Sequence, residues 1–300
     1  MVFVTGTSKG GSPSVGDYAT VAYEVSTGAT RWVRRYSGRG NYDFASSIAV
    51  SPSGSKVFVT GTSDGGPSNS DYATVAYYVS TGAKLWVKRY DGPGDSVDSA
   101  SSIAASSDGS TVFVTGESDG ALGDGDYATL AYNAFSGAKL LAKRYGGPVN
   151  RDDRASSLVA SSDGSKVFVT GISNGGDASI GDFATIAYDA PTGKMLWVSR
   201  YDGPGHDVDQ AESIAASSDG SEVYVAGGSV GRGTGYDYAT VAYDVATGDK
   251  LWLKRYNGPA NRDDIGYSVA SSPDSMRVFV TGLSCGPACD FDYATVAYGP

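Results

Sequence analysis

Val112-Phe113-Val114-Thr115-Gly116 decides the fold of this 300-residue chain, because the same five residues recur at a fixed spacing. The copies begin at Val2, Val57, Val112, Val167, Val223 (as VYVAG) and Val278, in steps of 55, 55, 55, 56 and 55 residues. A second block, Asp-Tyr/Phe-Ala-Thr-Val/Leu/Ile-Ala-Tyr, follows each copy and begins at Asp17, Asp71, Asp126, Asp182, Asp237 and Asp292. A period of this length, built from short strands, is typical of a propeller or a solenoid.

The composition agrees with an all-β fold. The chain has 42 Gly and 21 Tyr but only 3 Met, which is typical of strands separated by turns. A formal net charge of -10 excludes the basic surface that a nucleic-acid partner needs. The apolar runs are as short as strands, so we expect no membrane span, and the first residues show no signal peptide.

Each repeat predicts four antiparallel strands, as the copy at residues 100–145 shows. Residues 100–106, 112–116, 126–133 and 140–145 are strands one to four, and Asp108-Gly109 forms the first turn. Four such strands make one blade of a β-propeller, so we predict a single propeller domain over residues 1–300.

The number of strands predicts an incomplete first and last blade. Strands two and three occur six times, whereas strands one and four occur five times, so the count is 22 strands instead of 24. We therefore expect an imperfect six-bladed ring or a fragment of a larger one. Open edge strands pair readily with other chains, so self-association is a further expectation.

The turn between strands three and four carries a specific motif. Residues 187–197 match the pattern A-x-D-x-x-T-G-K-x-x-W, and residues 242–252 match it apart from Asp249. The pattern resembles the tryptophan-docking motif of the bacterial quinoprotein dehydrogenases, which are pyrroloquinoline-quinone β-propellers. The resemblance implies that Trp residues tie neighbouring blades together, and these are Trp32, Trp86, Trp197 and Trp252. Leu141 replaces Trp in the third blade, so we expect the weakest junction there.

The resemblance also implies an alternative function, that of an oxidoreductase. The dehydrogenases hold pyrroloquinoline quinone and calcium on the axis of eight blades, with an Asp base and a disulfide between adjacent cysteines. This chain has six whole or partial blades and no adjacent Cys pair, so we expect no cofactor, with calcium as the exception to test. Cys285 and Cys289 fit a local disulfide, which we predict, and they also fit two reduced thiols.

Repeated acids are the first candidates for a metal site. One Asp precedes strand one in five repeats: Asp43, Asp98, Asp153, Asp209 and Asp264. Carboxylates that converge from several blades can bind Ca²⁺ or a cationic ligand. The same residues can instead cap their own turns, which we favour. The Asp at the start of strand three is expected to pair with the Arg that recurs in strand four, at Arg35, Arg89, Arg144, Arg200 and Arg255.

His206 is the only histidine and offers a third function. With Asp207 or Asp209 as its orienting partner it can act as a general base, which is the basis for a lyase or hydrolase alternative. No nucleophile motif accompanies it, so we expect a solvated loop histidine.

Residues that differ between repeats are better candidates for recognition than residues that every repeat contains. The loops between strands two and three differ most, at residues 7–16, 62–70, 117–125, 172–181, 228–236 and 283–291. We therefore predict a non-enzymatic scaffold that presents these loops to protein or carbohydrate ligands. Its acidity and the predicted disulfide favour an extracellular or cell-surface location.

Overall fold

The computed structural model describes residues 1–9, 15–40, 42–66, 69–94, 96–120, 123–149, 151–175, 181–287 and 290–299. These residues form 22 strands in six antiparallel sheets and contain no helix. The predicted all-β propeller with about six blades, the first and last of them incomplete, is confirmed. In the described part of the chain there is no helix of the length and apolarity that crossing a membrane requires.

The chain divides into two compact units, Met1–Tyr145 and Gly146–Pro300, each with three blades. The strands of the first unit are β1 (Val2–Ser8), β2 (Asp17–Tyr23) and β3 (Thr30–Tyr36) in blade 1, β4 (Asp43–Val50), β5 (Lys56–Gly66), β6 (Asn69–Tyr78) and β7 (Lys84–Tyr90) in blade 2, and β8 (Asp98–Ala105), β9 (Thr111–Asp119), β10 (Gly125–Asn133) and β11 (Lys139–Tyr145) in blade 3.

The second unit has the same organisation. Its strands are β12 (Arg154–Ala160), β13 (Lys166–Ser173), β14 (Asp182–Asp189) and β15 (Met195–Tyr201) in blade 4, β16 (Asp209–Ala216), β17 (Glu222–Val230), β18 (Tyr236–Asp244) and β19 (Lys250–Tyr256) in blade 5, and β20 (Asp264–Ser271), β21 (Val278–Cys285) and β22 (Phe291–Tyr298) in blade 6. Every blade pairs its strands in chain order.

The two repeated blocks form the middle strands of each blade. In β13 the segment Val167 to Gly171 is buried on both faces, and so is its partner β14, because sheets pack on either side. Such strands have nearly continuous apolar sequences instead of an alternating pattern. The one polar position is satisfied internally, since Thr170 and Thr185 are fully buried and share a hydrogen bond of 3.0 Å.

The Gly that ends the VFVTG block lies opposite a bulge in strand one. In blade 4 the register of β12 shifts between Ala155 and Ser157, which brings the Arg154 carbonyl close to Gly171. A Cβ at Gly171 would lie 2.0 Å from that oxygen, so no larger residue fits without a shift of the backbone.

The Tyr of the second block joins consecutive blades. The Tyr18 hydroxyl donates to the Ala73 carbonyl at 3.3 Å, and the Tyr238 hydroxyl donates to the Ala294 carbonyl at 3.1 Å. Both rings are buried, and each hydroxyl reaches the same position one blade further along the chain. The repeat therefore carries contacts between blades as well as the blades themselves.

Candidate functional site

Trp197 shows how strand four contacts the next blade. Its side chain is buried, and Nε1 donates to the Val245 carbonyl of blade 5 at 3.2 Å. The ring lies beneath the turn at Gly248, where a Cβ would come within 2.6 Å of the indole. Gly248 also has a φ of +76°, so both its conformation and its lack of a side chain serve the Trp contact.

The other three Trp residues follow this arrangement to different degrees. Trp32 donates to the Val79 carbonyl at 2.8 Å, and Trp86 donates to the Ala134 carbonyl at 3.3 Å. Trp252 is only half-buried and lies 5.8 Å from Tyr224 and 6.1 Å from Tyr298 between ring centroids. Leu141 lies in β11, the last strand before the boundary between the two compact units.

A largely buried polar network occupies the end of blades 2 to 5 where strand two leads into strand three. In blade 2 the Arg89 guanidinium lies 2.7 Å from Asp71 Oδ2 and donates to Ser63 Oγ at 2.6 Å and to the Ser63 carbonyl at 2.9 Å. Blades 3, 4 and 5 repeat the ion pair through Arg144 with Asp126, Arg200 with Asp182 and Arg255 with Asp237, at 2.7, 3.1 and 2.8 Å. In blade 1, Arg35 instead contacts Ser8.

The Asp that precedes strand one is buried in all five repeats, at Asp43, Asp98, Asp153, Asp209 and Asp264. Its carboxylate accepts a backbone N–H from the preceding loop in four of them, from Gly38 at 2.9 Å, Gly92 at 2.6 Å, Gly203 at 2.5 Å and Gly258 at 2.6 Å. Asp153 accepts the N–H of Asn174 at 2.9 Å. Ser63 and Ser284 donate their hydroxyls to Asp43 and Asp264. These are the contacts of a capping residue.

At two junctions between blades, two further carboxylates lie close to this Asp. Asp71, Asp91 and Asp98 lie together between blades 2 and 3, with one oxygen of each within 4.8 Å of the others. Burial raises the pKa of Asp98 to about 6, and the neighbouring carboxylates of Asp91 and Asp71 add to the rise.

The second unit contains the same arrangement in blades 4 and 5. Asp182, Asp202 and Asp209 also place one oxygen each within 4.8 Å of the others. Burial raises the pKa of Asp209, and Asp202 and Asp182 raise it further. Asp98 and Asp209 are two of the five metal candidates named from the sequence, and their role as metal ligands stays a prediction; Asp91 and Asp202, which accompany them, were not named.

His206 lies at the second of these clusters, with a partner that differs from the predicted one. Its Nδ1 lies 2.7 Å from Asp202 Oδ2, and its side chain is 61% exposed. The predicted partner Asp207 instead accepts the N–H of Val208, while Asp209 accepts that of Gly203. His206 has a φ of +50°, which lies in the left-handed region of the backbone. This histidine has no nucleophile among its hydrogen-bond partners in the described residues.

Two other predictions fall partly outside the described residues. Cys285 is buried at the end of β21, whereas Cys289 lies outside the described part, so their disulfide stays a prediction. Of the variable loops, only the one in blade 5 is described throughout: Gly231 N–H donates to the Gly235 carbonyl at 2.8 Å, and Arg232 donates to the Pro204 carbonyl at 2.9 Å.

Strand one and the residues just before it contain side chains that break the repeat and that sequence reasoning missed. Tyr42 and Phe44 are 51% and 45% exposed, and their rings stack with centroids 6.2 Å apart. In blade 5, Gln210 Nε2 donates to Glu212 at 2.8 Å, and burial raises the pKa of Glu212. Alignment of the repeats would have found these residues, because no other blade has them at the same positions.

Comparison with models of protein families identifies the family to which this architecture belongs. A model described as "Outer membrane protein assembly factor BamB", built from PQQ-type repeats, matches residues 130–284, which is 155 of the 300 residues. The chain belongs to this family of PQQ-like β-propeller repeat proteins. A second model, described as "Beta-propeller repeat", matches residues 31–67 of the PQQ-like propeller. A search of curated proteins found no significant match.

Solved structures share the fold of the PQQ-like propeller at low sequence identity. Hydrazine synthase of Kuenenia stuttgartiensis matches 89% of this chain and 70% of its own, with a TM-score of 0.60 and 14% identity. A putative 6-phosphogluconolactonase from Bacteroides uniformis matches 99% and 82%, with a TM-score of 0.53 and 15% identity. The β-propeller domain of the Trilobed protease from Pyrococcus furiosus matches 85% and 68%, with a TM-score of 0.50 and 10% identity. These likenesses concern the fold alone.

This PQQ-like propeller differs from the quinone-dependent dehydrogenases at its cysteines, and its Trp residues make contacts between blades. Trp32, Trp86 and Trp197 are buried at blade junctions, where their Nε1 atoms are already bonded to carbonyls. The two cysteines are four residues apart in sequence and cannot form the disulfide between adjacent residues that the dehydrogenases use. The family membership rests on the architecture of the repeat.

Proposed function

We propose that this chain is a non-enzymatic binding scaffold whose ligand is a protein, and that it acts outside the cytoplasm. One observation carries the proposal. The repeated Asp, Arg and Trp residues make contacts within and between blades, whereas Tyr42 and Phe44 occur in one blade only and are exposed. Exposed aromatic residues that stack on one another are typical anchors of a protein interface.

The choice of a protein ligand has a second support in the family. Its description names an assembly factor for outer membrane proteins, and this also supports the location outside the cytoplasm. Carbohydrates stack on exposed aromatic rings as well, so glycans are the alternative that the experiment must separate.

The repeat itself supplies the variant that tests the proposal. Blade 3 has Val97 and Ser99 where blade 2 has Tyr42 and Phe44, so Tyr42→Val with Phe44→Ser keeps a sequence that this fold accepts. The matched control is Tyr78→Asn, since Tyr78 is also exposed and blade 3 has Asn133 at that position.

The assay titrates labelled, unfolded outer-membrane proteins with each variant and screens a glycan array in parallel. We expect the dissociation constant for the protein ligands to rise at least about tenfold in the double variant and to stay unchanged in the control. Equal affinity of the double variant and the wild type would refute the proposal. Binding of glycans alone, lost in the double variant, would replace the protein ligand with a carbohydrate.

The two enzymatic alternatives are tested on the same preparation. Calorimetric titration with pyrroloquinoline quinone in calcium buffer is expected to give no saturable heat of binding. Any hydrolase or lyase activity found in a substrate screen is expected to survive His206→Ala, because this side chain is exposed and its ring hydrogen-bonds only to Asp202 among the described residues. Saturable quinone binding or loss of activity in the His206 variant would reverse these conclusions.

A further inference from the structure

The two carboxylate triplets have the dimensions of a cation site. Calcium binds oxygen ligands at about 2.3 to 2.6 Å, so ligands on opposite sides of one ion lie up to about 5 Å apart. The oxygens of Asp71, Asp91 and Asp98 lie within 4.8 Å of one another and therefore fit around one ion. In each triplet two of the acids are buried and the third is exposed, which gives an ion access from solvent.

A second observation points to a missing ligand at each triplet. Asp71 Oδ2 accepts from Arg89, whereas Asp71 Oδ1 is buried without a hydrogen-bond partner among the described residues. The two oxygens of Asp182 differ in the same way: Oδ2 accepts from Arg200, and Oδ1 has no hydrogen-bond partner among the described residues. Their side chains are only 9% and 8% exposed, so water does not readily satisfy these oxygens. A buried anionic oxygen without a partner costs free energy unless a cation or a proton reaches it.

The third acid occurs only at these two junctions. It directly follows the Tyr that ends strand four, and the other repeats have Ser37, Gly146 or Asn257 there. Asp91 and Asp202 therefore increase the negative charge at places where a carboxylate already lacks a partner. Among the described residues, two positive side chains near the first triplet already have partners: Arg89 is paired with Asp71 Oδ2 and Arg144 with Asp126.

We propose that each triplet binds one hard divalent cation, with Ca²⁺ as the best fit, and that the ion links two consecutive blades. Three carboxylates offer oxygen ligands only, and these select Ca²⁺ or Mg²⁺ over softer metals. The site of Asp71, Asp91 and Asp98 joins blade 2 to blade 3, and that of Asp182, Asp202 and Asp209 joins blade 4 to blade 5. At the second site, His206 Nδ1 lies 2.7 Å from Asp202 Oδ2.

The substitutions that test this proposal introduce residues that other repeats have at the equivalent position. Asp91→Ser places in junction 2/3 the residue that the chain has at Ser37, and Asp202→Asn copies Asn257. The control is Asp249→Asn, which removes one negative charge from a turn outside the triplets. All variants are first compared by circular dichroism to show that the fold is unchanged.

The measurements are calcium calorimetry and sensitised Tb³⁺ luminescence on chelator-treated protein. Tyr72 and Tyr90 follow Asp71 and precede Asp91, so their excitation transfers to a lanthanide at the first site. We expect two ions per wild-type chain, one for each single variant, none for the double variant, and two for the control.

The thermal melting temperature gives an independent readout. It is expected to rise with Ca²⁺ in the wild type and in the control and to stay constant in the double variant. Absence of saturable binding at millimolar Ca²⁺ would overturn the proposal and leave a shared proton as the partner of these carboxylates. A stoichiometry that the double variant leaves unchanged would overturn it as well.

Discussion

Replacement of Trp197 by Leu tests whether strand-four tryptophans stabilise the junctions between blades. Leu is the residue that blade 3 has at this position, as Leu141, so the variant is compatible with a blade. The change removes about 60 Å² of buried apolar surface, worth about 1.5 kcal/mol. It also leaves the Val245 carbonyl without its donor, which costs about 1 to 3 kcal/mol.

The substitution also removes two ring contacts of Trp197, with Phe168 at 5.7 Å and Tyr243 at 6.4 Å between centroids. These contribute about 0.5 to 1.5 kcal/mol each, so the total loss is about 4 to 7 kcal/mol, at or above the upper end of the range for large-to-small core substitutions. Trp252→Leu is the matched control. In the wild type, Trp252 makes two ring contacts but is only half-buried, and among the described residues its Nε1 has no carbonyl acceptor. We therefore expect Trp252→Leu to lower the free energy of unfolding by about 2 kcal/mol.

Urea unfolding followed by circular dichroism measures both losses, and the transitions are fitted as a series of neighbouring blades because repeat proteins need not unfold in one step. The prediction is the order of the two variants, with Trp197→Leu the more destabilised. Equal losses, or a loss below about 1 kcal/mol for Trp197→Leu, would show that these residues do not stabilise the junctions.

Three further outcomes are expected from urea unfolding. Arg200→Met leaves the buried Asp182 carboxylate without its cation and is expected to cost about 3 kcal/mol, so an unchanged midpoint would contradict the network. In the presence of a chelator, the contribution of Asp98 to the free energy of unfolding is expected to fall by about 3 kcal/mol as the pH rises from about 4 to above 6. The reason is that the folded chain binds the Asp98 proton more tightly than the unfolded chain does. Asp98→Asn should reduce this slope but not abolish it, because burial also raises the pKa of Asp209 and of Glu212, and an unchanged slope would assign it to those groups. Gly171→Ala is expected to cost about 1 to 3 kcal/mol, since its Cβ meets a carbonyl at 2.0 Å. Gly6→Ala, at the same motif position but with nothing within 4 Å, should change stability by less than about 0.5 kcal/mol.

The blades could be predicted from sequence because their information is local and repeated six times. VFVTG and DYATVAY are each long enough to specify a strand, and the Asp-Gly and Thr-Gly turns between strands specify hairpins. The bulge opposite Gly171 was not predicted, although a Gly in every copy of a buried strand is the signal that such a bulge leaves.

The candidate site was only partly predictable, because its distances depend on how one blade packs on the next. Sequence reasoning found Asp98 and the capping role that its contacts describe, but the period alone does not show that Asp71 and Asp91 approach it. The exposed pair Tyr42 and Phe44 was missed for another reason, because the recognition residues were predicted in the long loops between strands two and three. In both cases the informative signal was a residue that departs from the repeat.

One change after the strand-four Tyr separates the two kinds of junction. Where that residue is Ser37 or Asn257, the buried Asp of the next strand one is a cap that accepts N–H and hydroxyl hydrogens. Where it is Asp91, the same cap faces two further carboxylates, which add to the rise that burial causes and bring its pKa to about 6. Repulsion among the three carboxylates destabilises the junction only while no cation is present, and a bound cation converts the same charges into ligands. A repeat protein can therefore acquire or lose a cation link at one junction by a single substitution, with no change in the strands on either side.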